Sequence, residues 1–171
     1  MFHKNIKLAL AALIIAVAVW QFTDKNIGNG IFLLLLAGLV VLLYFKNEFI
    51  ILAFLKLRKQ DFDGAKKWLD KIKNPEGALV RKQQGYYNYL NGLMLSQTNL
   101  TLAEKYLKKA VELGLNMDQD MAMAKLNLAG IAMTKRRKME ASNLLNEAKK
   151  LDKHNMLKDQ ITMMKQQLKK I

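Results

Sequence analysis

The chain contains no cysteine, so disulfides, thiolate nucleophiles and cysteine-held metals are excluded. Proline occurs once, at Pro75, and glycine is scarce beyond Gly92. Alternating β-branched residues bounded by Asn-Gly turns, the mark of hairpin strands, are missing after the apolar start. His3 and His154 are the only histidines. Neither has a second histidine or a carboxylate cluster at ligand spacing, and each reads as a solvated side chain. There is no glycine-rich phosphate loop, nucleophile elbow or zinc signature. Pairs such as Asp118 and Asp120 fit helix starts better than acid–base chemistry. The expectation is an all-α protein that is not an enzyme, with no catalytic residues, no metal ligands and no cofactor.

What is abundant is positive charge and apolar residues. Lys and Arg number 28 against 14 Asp and Glu, a formal charge of +14. Residues 1–45 carry only Lys4, Lys7 and Lys25 against Asp24, so nearly all of the excess lies further on. A basic surface of this kind attracts anionic lipid, acidic proteins or RNA, or else its lysines simply solvate helices.

The apolar residues crowd the first third. Ile6 to Phe22 is interrupted only by Lys7, and Ile27 to Phe45 has no charge. A membrane span needs roughly 20 apolar residues, which both stretches approach. Lys4 and Lys7 would reach back to headgroups, and Trp20, Phe22, Tyr44 and Phe45 would form aromatic belts. The polar segment Thr23 to Gly30 suits a tight reversal. The expectation is a transmembrane helical hairpin over residues 1–45, with spans at about 6–22 and 27–45. The positive-inside rule then places both termini and the remaining chain in the cytoplasm, and a resemblance in layout to anchored bacterial envelope-assembly proteins implies an integral protein of a bacterial cytoplasmic membrane. A cleaved signal peptide ending near Ala16-Val17-Ala18 competes with this, although the apolar run continues into Val19 and Trp20. Apolar character resumes at Phe49 to Leu55 after Lys46, Asn47 and Glu48, as if one long helix over residues 31–57 served both regions.

Beyond the hairpin the chain repeats itself. Ala65, Ala103 and Ala141 are spaced by 38 residues, and the same step links Leu69, Leu107 and Leu145. Leu52, Leu90 and Leu128 follow it, as do Ala53, Asn91 and Ala129, and Trp68, Tyr106 and Leu144. Ile72, Ala110 and Ala148 complete the set. Alanine allows two helix backbones to approach, and the leucine fills the groove beside it. A fixed period of this size is the signature of stacked helical units.

These positions resemble the tetratricopeptide repeat (TPR), which pairs two antiparallel helices around two small residues and a following large apolar one. The resemblance covers residues 46–153, and the period exceeds the family's 34 by about four residues per unit. It implies three helix pairs, over 46–83, 84–121 and 122–153, forming an α-solenoid. The extra residues fall at Lys73 to Gly77 and Gly114 to Asp118. Residues 154–171 then form a capping helix with Leu157, Ile161, Met164, Leu168 and Ile171 on its apolar face. Local signals place the helix starts: a capping box at Thr101-Leu-Ala-Glu104, Asp61 and Asp63 before the second helix of the first pair, and Asn155 before the last helix. Pro75 and Gly77 would end that second helix of the first pair.

The resemblance also implies a concave groove for a protein partner, either a peptide or a helix. Carried over, it would use Asn88, Gly92, Leu95 and Ser96, then Leu126, Asn127, Gly130, Met133 and Thr134. The family's basic carboxylate clamp is missing, and Gly92, Gly130 and the methionines suit a partner helix. The alternative is that these residues pack on each other or on the last helix. Lys135, Arg136, Arg137 and Lys138 form the densest basic run, either an exposed turn or a contact for anionic lipid. Nucleic acid is disfavoured because Trp68, Tyr86, Tyr87, Tyr89 and Tyr106 fall mostly at repeat-core positions. The functional expectation is a membrane-anchored scaffold or adaptor. A membrane-surface or envelope-assembly factor reading anionic lipid, and an accessory subunit of a membrane enzyme complex, are the alternatives.

Overall fold

A computed structural model describes residues 4–45 and 47–170, apart from the side chains of Lys4, Asn5, Lys7, Leu43 and Phe45. The expectations for His3, Lys4, Lys7, Phe45, Lys46 and Ile171 therefore concern side chains outside the described residues. The described residues form ten helices and no strand. They divide into two compact units, Met1–Gln83 and Gln84–Ile171.

The first unit opens with α1 (Lys4–Thr23) and α2 (Ile27–Phe45), which pack against each other. Small residues one heptad apart line their seam: Ala11 and Ala18 from α1, Gly30 and Ala37 from α2, all buried. The Phe22 ring lies where a Gly30 side chain would begin, its Cζ 2.7 Å from that position. The reversal takes only Asp24, Lys25 and Asn26, with Lys25 left-handed at φ 61°. Residues 27–30, expected in the linker, are the first turn of α2. The outward side chains, among them Leu13, Trp20, Phe32, Leu35 and Leu42, are more than half exposed. Apolar area of this extent marks a contact face rather than a solvated one.

The membrane expectation does not stand. Among the described residues no helix is long and apolar enough to cross a membrane. The uninterrupted apolar segments are Leu8 to Trp20 and Ile31 to Phe45, because Lys7, Gln21, Asn29 and the 46–48 segment bound them. At about 1.5 Å per residue they reach about 20 and 22 Å, short of a hydrocarbon core of about 30 Å. The two spans, and with them the integral membrane placement and its sidedness, are overturned.

Nor do residues 31–57 make one helix. Asn47 is buried and extended (φ −66°, ψ 126°), and its side chain accepts a hydrogen bond from the Phe49 amide at 3.0 Å. An asparagine that satisfies a free amide in this way starts a new helix instead of continuing the old one. That helix is α3 (Glu48–Arg58), paired with α4 (Phe62–Leu69). Ile50, Ala53, Ala65, Leu69 and Ile72 form their apolar contact. At its edge Phe49 stacks on Trp68, with centroids 5.9 Å apart, and the Lys71 ammonium sits 3.8 Å from the Trp68 ring centre. Asp61 caps α4 by accepting from the Gly64 amide at 2.8 Å, as its position predicts. Pro75 does not end that helix. It opens a separate single turn, α5 (Pro75–Ala78), capped by Asn74. Proline suits a first helical position because it has no amide hydrogen to satisfy there.

α6 (Arg81–Leu95) leads into the second unit, which continues with α7 (Leu100–Leu113), α8 (Asp118–Thr134), α9 (Lys138–Leu151) and α10 (Lys158–Leu168). α8 is central, since α7, α9 and α10 all pack on it, and eight of its side chains are buried. Its partners in the core are Ala141, Leu145 and Ala148 of α9, together with Leu157, Ile161 and Leu168 at α10. The 38-residue step reappears as burial: Ala65, Ala103 and Ala141 are fully buried, and Leu69, Leu107 and Leu145 essentially so. The turns at Gln60 and Arg136, two steps apart, share one hydrogen-bond pattern. In each, a left-handed residue (φ 59° and 57°) closes the helix, and the next amide reaches back five residues to Lys56 or Ala132.

Two helix starts differ from expectation. α7 is capped by Asn99, whose side chain accepts from the Leu102 amide at 3.0 Å. Thr101 is already inside the helix, so the Thr101–Glu104 box does not form and Glu104 is free for another role. Asn99→Ala is expected to cost about 1 kcal/mol and Thr101→Ala a few tenths at most, read as urea midpoints. α10 begins at Lys158, and Asn155 instead holds a left-handed turn at φ 56°. The buried Asp152 organises that turn, accepting from the Met156 and Leu157 amides at 3.0 and 2.8 Å.

Candidate functional site

The second unit carries a cleft of about 390 Å³ between α8 and α10. Met123, Leu126 and Ile131 of α8 and Met163 and Met164 of α10 supply its apolar wall. Ser96, Asn127 and Gln160 add polar groups. The Asn127 amide donates to the Met123 carbonyl at 2.8 Å, and the Ser96 hydroxyl to the Gly92 carbonyl at 2.8 Å. Both therefore present fixed orientations. A second concavity, of about 420 Å³, is lined by Gly130, Met133, Thr134, Met164, Gln167 and Lys170. Gly130 and Met164 belong to both, and the Met164 methyl stands 3.6 Å from where a Gly130 Cβ would be.

The residues expected to line one groove are thus sorted into different roles. Ser96, Leu126, Asn127 and Gly130 meet in the first cleft, and Gly130, Met133 and Thr134 in the second. Asn88 is buried, and its amide donates to the Gln84 carbonyl at 2.7 Å. Gly92 faces Leu107: a Cβ there would lie 2.6 Å from Leu107 Cγ. Leu95, half-buried near the end of α6, lines neither cleft. Leu126 and Met133 also join the core formed with Leu157, Ile161 and Leu168, so α10 covers part of the expected groove. Met163, Gln160 and Gln167 carried no sequence signal as site residues. Met164 did, through its place on the apolar face of the last helix.

The basic run is placed by the α8–α9 turn, where two of its four cations meet carboxylates. Lys135 and Arg137 reach Glu104 of α7 at 2.7 and 2.8 Å, and Arg137 also reaches Glu140 at 2.8 Å. Lys108 joins both carboxylates, at 2.8 and 3.4 Å. Arg136 and Lys138 point outward. Burial pushes the Glu104 carboxyl up, but hydrogen bonds from Lys108, Lys135 and Arg137 outweigh it and hold the group down to about 2. A further polar link joins α6 to α8: the Tyr86 hydroxyl donates to Asp120 at 2.6 Å, and burial with that carboxylate raises the phenol well above its ordinary value.

Among the described residues no group of three or more His, Asp or Glu is placed to hold a metal ion. His154 is exposed in the turn before α10. Comparison with protein-family models, curated proteins and solved structures finds no match to this chain.

Proposed function

We infer that the chain is a helical-repeat scaffold whose second unit binds an amphipathic helix of a protein partner in the methionine-lined cleft between α8 and α10. The observation that carries this reading is the cleft itself: flexible methionines from two helices around a partly open apolar surface with oriented polar groups. Methionine re-packs easily and so serves contacts with helices of varied sequence. The 38-residue register supports the same reading, because stacked helix pairs of the tetratricopeptide kind commonly present such surfaces. Two of the four cations of the basic run, Lys135 and Arg137, are engaged by Glu104 within the fold, while Arg136 and Lys138 stay exposed.

A displayed library of amphipathic helices, panned against the whole chain, tests the proposal. A selected helix is expected to bind, and Met163→Lys or Met123→Lys to weaken it by about tenfold or more. Selected helices that bind no better than scrambled versions, or that ignore both substitutions, would remove the cleft from consideration.

A further inference from the structure

A third concavity, of about 260 Å³, lies between the end of α9 and α10, and three lysines are among the residues that line it. Lys149 comes from the last turns of α9, Lys158 from the start of α10 and Lys165 from two turns further along. Three lysines of this unit that bridge helices meet carboxylates: Lys135 with Glu104, Lys125 with Glu147 and Lys153 with Asp118. Lys149, Lys158 and Lys165 make no ion pair among the described residues. Lys165 donates to the Asn146 side-chain oxygen at 2.6 Å, which leaves its charge uncompensated.

The cleft does hold one carboxylate, Asp152, but both of its oxygens are engaged by the Met156 and Leu157 amides. Asp159, in the first turn of α10, does not line it. The Thr162 hydroxyl gives its proton to the Lys158 carbonyl at 2.8 Å, so recognition falls to the ammonium groups. Three ammonium groups against the one Asp152 carboxylate leave the concavity with a net charge of about +2, which a bound dianion offsets. Ile161 is buried at the base, giving a short carbon skeleton an apolar wall.

We propose that this cleft binds the dianionic phosphate of a phosphomonoester, with Lys149, Lys158 and Lys165 as its ligands. Phosphate on a small soluble ester and phosphate on a lipid headgroup share this chemistry. Calorimetric titration of the full chain with glycerol phosphate, at fixed ionic strength, examines the soluble source. Co-sedimentation with phosphatidylcholine vesicles, with and without phosphatidic acid, examines the lipid source. The variant Lys149→Gln/Lys158→Gln/Lys165→Gln is compared with a charge-matched control, Lys59→Gln/Lys66→Gln/Lys105→Gln, both checked for an unchanged melting curve. Saturable binding in either arm, weakened about tenfold or more in the first variant and not in the control, is the expected result. The arm in which it occurs identifies the source. No saturable binding in either arm, or equal loss in both variants, overturns the site.

Discussion

Gly92→Ala is expected to destabilise the second unit by about 1–3 kcal/mol, while Gly130→Ala leaves it unchanged or up to about 1 kcal/mol more stable. Both glycines lie inside helices, where alanine is intrinsically better by about 1 kcal/mol, so the difference between them comes from their neighbours. At Gly92 a new Cβ would lie 2.6 and 2.8 Å from Leu107 Cγ and Cδ2 and 3.2 Å from the Leu107 amide nitrogen. Leu107 is fully buried, so it has no room to swing aside, and α6 and α7 must separate. At Gly130 the nearest atom is the methyl of Met164 at 3.6 Å, an ordinary contact with a flexible side chain. Urea denaturation read by circular dichroism at pH 7 measures both. Equal effects of the two substitutions would contradict the close approach of α6 to α7. Gly85 belongs with Gly92, since its Cβ would strike the Gly114 carbonyl, a backbone atom that cannot rotate away.

The second large effect is electrostatic. Glu104→Gln is expected to cost about 1–3 kcal/mol at pH 7. The side chain keeps its shape, but Lys108, Lys135 and Arg137 lose the carboxylate they converge on. The upper end applies to buried pairs. These cations are roughly a third to a half exposed, which moderates the loss. The pH dependence has a definite sign. The Glu104 carboxyl titrates near 2 in the folded state against 4.5 for the free side chain, so the unfolded chain takes up the proton first as pH falls. Its contribution is therefore complete above about pH 4.5 and disappears as the pH falls towards 2. The stability difference between the parent chain and Glu104→Gln should shrink across that window and stay constant from pH 5 to 8. A difference that does not change down to pH 2 would mean that the carboxylate is not what holds α7 to the α8–α9 turn.

Much of the fold is legible in one dimension because its causes are local or periodic. Helix content follows from the scarcity of proline, glycine and strand patterning. The 38-residue step marks in advance the buried Ala65, Ala103 and Ala141 and Leu69, Leu107 and Leu145, since helix pairing requires a small residue at the crossing and a large one beside it. Leu52, on the same step as the buried Leu90 and Leu128, is exposed. Asp61 is readable as a cap for the same reason: its partner amide is three residues away. The errors arise where two local signals compete. Asn99 and Thr101 are both acceptable caps, and only the geometry of the preceding turn selects Asn99. Asn47 interrupts an apolar run that reads as continuous when residues are counted without regard to which one takes the extended conformation.

The candidate sites were less legible, because they depend on which surfaces meet. Gly92 and Gly130 occupy equivalent places in the repeat, yet one faces a buried leucine and the other a methionine at the edge of a cleft. The basic run from Lys135 to Lys138 reads as free charge until the fold brings Glu104 from 31 residues earlier against it. Lys149, Lys158 and Lys165 carry no motif, and only the return of α10 across the end of α9 draws them together. By itself the sequence determined the helical class, the register and most of the small-and-large pattern of the core, since hydrogen bonding and side-chain size act within a few residues. The tertiary structure alone decided which charges are compensated, which glycines are filled and where the clefts lie. Coulomb attraction and close packing act through space, between residues that the chain order leaves far apart.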